Sequence, residues 1–282
     1  MADRDADAAL TPLPTGYRDL VDAFLAAVQT DERIRAAWLS GSLARGVADA
    51  GSDLDLIVTV RDDAFEGFAE AWREWLASWA DAILARELPG IPGSFFASTR
   101  DGLRVDVVSE SVSASRETPH RIRVRLLDRD GLAGDLPPAD HDSRVPDVTK
   151  IADTIEEFLR QQVIFPAAVV ARQDWLLGIV GVLNAHLLLY SLFTESNEPL
   201  PPMGVKQWSS RLTADQRQVL AGLPQPEATR ESVVAAMQAV RHAFRTAGRA
   251  RAEEAGASWP IEVDDAVTVY WQREELEWDY GS

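Results

Sequence analysis

Apolar positions in the first half of the chain fall in short runs, and in the second half in long stretches at helical spacing. Residues 17–29 set Tyr17, Leu20, Val21, Phe24, Leu25 and Val28 three and four apart, which predicts an amphipathic helix. Residues 34–39 and 54–60 are apolar runs of strand length and predict the first two strands. Residues 62–79 read as a helix with Phe65, Phe68, Trp72, Trp75, Leu76 and Trp79 along one side, an aromatic stripe that belongs to a core. Residues 82–88 suggest a third strand. Residues 94–99 and 103–108 flank Asp101-Gly102, the clearest hairpin signal in the chain. Residues 121–127 alternate Arg with apolar residues and read as an edge or outer strand.

The texture changes after residues 128–146, where DRDG, AGD and PPAD clusters mark a boundary. Residues 148–165 read as a helix stopped or kinked at Pro166. Residues 175–193 then run nineteen positions without a formal charge, close to the length of a membrane span. Asn184 and His186 in the middle, and the lack of an aromatic or basic belt, favour a buried central helix instead, with His186 a satisfied core residue. A proline-rich loop follows over 195–203. Two short helices are expected at 204–212 and 213–223, the second capped by Thr213, then a long one over 226–254 with Val233, Val234, Met237, Val240 and Phe244 inward. Residues 263–278 close the bundle, and no internal repeat is visible. The fold class is therefore α+β: a mixed sheet with flanking helices over 1–130, a linker over 131–147, and an α-helical bundle over 148–282.

Composition narrows the chemistry. A length of 282 residues fits two domains better than one core. The absence of cysteine removes disulfides, thiol catalysis and zinc–thiolate sites from consideration. The net charge of −17 argues against long nucleic acid as a substrate, because phosphate backbones are bound by clustered cations, and it suits a cationic small molecule. Residues 1–10 are acidic and Ala-rich with no apolar core, unlike a signal peptide, and 3–14 read as a loose leader. With no membrane segment expected, a cytoplasmic location follows.

One stretch concentrates polar chemistry between apolar runs: residues 38–60, WLSGSLARGVADAGSDLDLIVTV. If 54–60 is a strand, Asp53 and Asp55, two apart, leave the same face at its mouth. Two adjacent carboxylates repel unless a cation sits between them, and hard oxygen ligands suit Mg²⁺. Gly41 and Ser42 end the preceding strand in a turn that points N–H groups and a hydroxyl at an anion. Further along, the RVDVV alternation sends Arg104, Asp106 and Val108 to one face. A carboxylate between valines needs a reason, and an ion pair with Arg104 or Arg123 is the structural one.

The joint pattern, G-S, ten residues, D-x-D and an apolar run, with Gly46 after Ser42 and Ser52 before Asp53, resembles the polymerase-β-like nucleotidyltransferase superfamily. The resemblance covers about the first 60 residues. It implies that Gly41 and Ser42 hold the triphosphate of an NTP such as ATP, with Arg45 and Ser52 among the nucleotide contacts. It also implies that Asp53 and Asp55 bind Mg²⁺, and that Asp106 matches a third carboxylate, either metal ligand or general base. A nucleotidyl group then passes to an acceptor hydroxyl with loss of pyrophosphate.

A sheet domain followed by a helical bundle looks like the antibiotic nucleotidyltransferases that modify aminoglycosides or lincosamides. In such enzymes the second domain contacts the substrate and sends a basic residue to the triphosphate, and Asp174, Trp175 and Lys206 are the candidates here. Two alternatives stay open: the same chemistry on a protein or tRNA end, as in toxin–antitoxin pairs, or a catalytically silent nucleotide-binding protein.

Overall fold

In the computed structural model, which describes residues 6–137, 145–204 and 206–276, the chain divides into two compact units, Met1–His141 and Asp142–Ser282. The first contains, in order, α1 (Ala6–Leu10), α2 (Gly16–Thr30), β1 (Ile34–Leu39), α3 (Gly41–Arg45), β2 (Leu54–Val60), α4 (Phe65–Glu70), α5 (Trp72–Ala77), β3 (Ala82–Glu87), β4 (Phe95–Thr99), β5 (Arg104–Ser111), α6 (Val112–Ser115) and β6 (Val124–Asp128). The strands form one mixed sheet in the order β3-β4-β5-β2-β1-β6. β2 and β5 run parallel at its centre, while the other described pairs are antiparallel.

One face of this sheet carries the main core. Leu54, Leu56, Val58 and Val60 of β2 and Val105 and Val107 of β5 pack with Phe24 of α2 and with Phe68, Trp72 and Trp75. The aromatic stripe is therefore core, with Trp72 stacked on Phe95 at 4.7 Å and Phe24 edge-on to Trp79 at 5.3 Å. Each such buried ring contributes roughly 1.5–3 kcal/mol by its removal from water. The expected single helix over 62–79 is instead a 3₁₀ turn followed by α4 and α5, because Ala71 between them leaves helical geometry. The other face carries a smaller cluster around Ala36, Trp38, Ile57 and Leu132.

β6 begins three residues later than the alternation suggests, since Arg123 turns inward to an acid instead of continuing an edge strand. The leader contains α1, whose Ala9 and Leu10 are buried; residues 3–5 of it lie outside the described residues, as does part of the linker.

The second unit is helical: α7 (Val148–Phe165), α8 (Trp175–Glu195), α9 (Ala214–Ala221), α10 (Arg230–Ala243), α11 (Arg249–Glu254) and α12 (Ile261–Arg273). α7 stops at Phe165 as expected, and Pro166 opens a π-helical turn, Pro166–Val170, before α8. A second π turn, Phe244–Gly248, divides the long helix expected over 226–254, which also starts later because Thr229 caps α10 by accepting from the Ser232 N–H. Thr213 and Gln216 form a reciprocal capping box on α9. Among the described residues of 204–212, where a helix is expected, the regular element is a 3₁₀ turn, Ser209–Arg211, and Trp208 is stacked on Tyr190, ring centroids 3.5 Å apart. Trp278 lies outside the described residues.

α8 is long and apolar enough to cross a membrane by length and composition. It is only half the buried helix expected. Gly178, Val182, Ala185, Leu189, Leu192 and Phe193 face the core, whereas Leu176, Val180, Leu183 and Leu187 are exposed. His186 is likewise not satisfied as expected: its Nε2 is buried with no hydrogen-bond partner among the described residues, and burial lowers its pKa below the ordinary 6.5.

Candidate active site

The parallel pairing of β2 with β5 puts Asp55 directly opposite Asp106 in register. Residues opposite each other in neighbouring strands project to the same face, so the two carboxylates stand side by side. Asp53, just ahead of β2 and buried, completes the group. Asp53, Asp55 and Asp106 each offer an oxygen within 4.8 Å of the others. Three like charges this close oppose one another, and oxygen donors at this separation fit a hard divalent ion.

The turn after β1 comes down onto this group. The Ser40 N–H donates to the Asp55 carbonyl at 2.9 Å, which ties the turn to the mouth of β2. Gly41 sits at φ +56°, and a Cβ there would lie 1.7 Å from Asp55 Oδ2, so only glycine allows the carboxylate its place. Ser42 Oγ is buried without a hydrogen-bond partner among the described residues. A buried hydroxyl left in that state is costly unless a ligand supplies its partner. An anion adjoining the acids meets that need, and the donor set thus fits a metal-bound phosphate.

The other candidates are distributed as follows. Arg45, exposed, lines a cavity of about 410 Å³ together with Ser40, Gly41, Pro119, His120, Arg121 and Ile122. Ser52 is turned to Asp49, whose N–H donates to Ser52 Oγ at 3.0 Å, so it shapes the loop that delivers Asp53. Asp174, Trp175 and Lys206 belong to the second unit. Asp174 caps α8 by accepting from the Leu177 N–H, Trp175 is partly buried against that unit's core, and Lys206 is exposed.

Arg104 directs its Nη2 to the Gly51 carbonyl, and Arg123 makes a two-pronged pair with Glu110, at 2.6 and 2.9 Å. Glu110 was missed in the sequence, although alternation along β5 puts it on the same face as Asp106, four residues on. It also accepts from Thr59 Oγ1, which in turn accepts from Trp38 Nε1. Arg123 additionally donates to Thr118 Oγ1 and to the His120 carbonyl. Partial desolvation, then the positive charge of Arg123, lowers the His120 pKa from its ordinary 6.5, against an opposing pull from Glu110.

The streptomycin adenylyltransferase family matches the chain over residues 16–175, more than half its length. No curated protein matches it. Two solved structures are similar over most of the chain. One is an aminoglycoside 6-adenyltransferase from Bacillus subtilis, at 16% identity over 92% of this chain and 98% of that one, with a TM-score of 0.38. The other is a CCA-adding enzyme in complex with CTP, at 10% identity over 96% and 85%, with a TM-score of 0.34.

Proposed function

Because this chain belongs to the streptomycin adenylyltransferase family and is thereby an adenylyltransferase, we propose that it moves AMP from ATP to a hydroxyl of a small cationic antibiotic, an aminoglycoside or a lincosamide. The observation that carries the reading is the convergence of Asp53, Asp55 and Asp106 beside the Gly41–Ser42 turn. Asp53 and Asp55 would hold Mg²⁺, and Asp106 would serve as a further ligand or as the base that receives the acceptor's proton. A divalent ion held by these carboxylates would supply positive charge against the phosphates. Ser42 Oγ donates to a phosphate oxygen, which supplies the partner it otherwise lacks.

The acceptor oxygen bonds to the α-phosphorus, the bond to the bridging oxygen breaks, and pyrophosphate leaves with that electron pair. The chain's part is to align these atoms and oppose their charge, since phosphoryl-type transfers need positioning and electrostatics more than covalent help. The reading places the enzyme in the cytoplasm, where ATP and Mg²⁺ are supplied.

A screen of pyrophosphate release with ATP or GTP against aminoglycosides and lincosamides tests this. Release with at least one antibiotic, preferring ATP, is the expected result. Release with none of them, by a protein that binds ATP and Mg²⁺, would favour the catalytically silent alternative.

A further inference from the structure

The cavity next to the Gly41 turn has a second wall that no motif announces. Residues 119–122 form it, facing Ser40, Gly41 and Arg45. In a chain with 45 acidic residues and a net charge of −17, this lining contains two arginines, a histidine and no carboxylate. Such a cavity suits an anion and disfavours a cationic acceptor.

The wall is also held in place at some cost. Arg123 and Glu110 have side chains only 2% and 8% exposed. Burying an ion pair brings little net stability, because desolvation offsets the attraction, whereas removing one partner is strongly destabilising. What this pair does bring is geometry. Arg123 grips the loop through Thr118 Oγ1 and the His120 carbonyl, and Glu110 connects it through Thr59 to Trp38, two residues before Ser40. One hydrogen-bonded chain therefore joins the loop to the strand that leads into the glycine–serine turn.

We infer that the 119–122 loop completes the phosphate site, with Arg121 beside Arg45 receiving the outer phosphates that depart as pyrophosphate, and that the Glu110–Arg123 pair positions this loop. The inference rests on the adenylyl-transfer reading above. Arg121 touches the leaving group; Glu110 and Arg123 act only through the loop. An arginine presents a planar fork matched to phosphate oxygens, so replacement by lysine should recover part of the effect and replacement by alanine none.

The test uses the full-length protein, with calorimetric titration of inorganic pyrophosphate in Mg²⁺ beside steady-state kinetics. Arg121→Ala, at an exposed position, should weaken pyrophosphate binding about tenfold or more, the scale of one lost charge-assisted hydrogen bond. It should raise KM for ATP similarly and leave KM for the antibiotic unchanged, with Arg121→Lys intermediate. Glu110→Gln should give the same split between the two KM values, which general loosening of the fold would not. Arg121→Ala binding pyrophosphate as the wild type does, while Asp53→Ala abolishes transfer, would overturn this inference and leave the function standing. Wild-type protein that binds neither ATP nor pyrophosphate, or Asp53→Ala that turns over normally, would remove both.

Discussion

Gly41 and Asp55 compete for one space, and the chain resolves the competition by having no side chain at 41. Gly41→Ala therefore suffers twice: about 1–2 kcal/mol for an L-residue in the left-handed region, and a carboxylate pushed from its position. Urea denaturation should show that loss of stability, and turnover should fall with it. The acids behave in the opposite sense, because carboxylates this close repel one another and a bound cation offsets that repulsion. Addition of Mg²⁺ should raise the melting temperature of the wild type, as any ligand of the native state does. Asp53→Asn should abolish that rise and lower turnover by more than about 100-fold, exceeding the effect of changes in a metal's outer shell. A rise of equal size in Asp53→Asn would place the ion elsewhere.

At the scale of elements, two features of α8 make direct tests. Gly178 lies where α8 meets α10, and a Cβ there would sit 2.5 Å from Val233 Cγ1 and 2.9 Å from Val169 Cγ1. Helix propensity favours alanine by about 1 kcal/mol. Overpacking costs roughly 1–3 kcal/mol, so Gly178→Ala should be net destabilising in a denaturant titration. His186, its pKa lowered by burial, is neutral in the folded unit. A depressed pKa contributes stability above the unfolded value of 6.5 that is lost as pH falls through the folded value, because the unfolded chain takes the proton first. Melting should accordingly move to lower temperature as pH drops below 6.5, and His186→Leu should reduce that slope. Glu157, held at about 2 by its hydrogen bond from Arg160, titrates well below this window.

These elements also mark what the sequence could and could not disclose. β1 and β2 were legible to the residue, since short apolar runs between polar turns leave few other readings. The Asp53–Asp55 pair and the glycine–serine turn were legible because their chemistry is local. Glu110, Arg123 and the 119–122 loop were not, because their meaning depends on which strands become neighbours. Strand order joins residues 51 and 64 positions from Thr59 into one network, and no local pattern encodes that. The shortened helices of the second unit have the same origin, as with Trp208 held on Tyr190.

At the scale of the whole molecule, each unit has its own apolar core, one built on the sheet and the other on Phe158, Val182, Val240 and Phe244. The helical unit expressed by itself, residues 142–282, should fold and melt cooperatively by circular dichroism. The net charge of −17 gives a second expectation. Attraction of a cationic antibiotic is screened as salt rises, so its KM should increase between low and physiological ionic strength. The most direct measurement is mass spectrometry of an aminoglycoside or lincosamide after incubation with ATP, Mg²⁺ and the protein. The account expects one added AMP with the wild type and none with Asp53→Asn. An unmodified antibiotic in every case, or equal modification by both proteins, would contradict it.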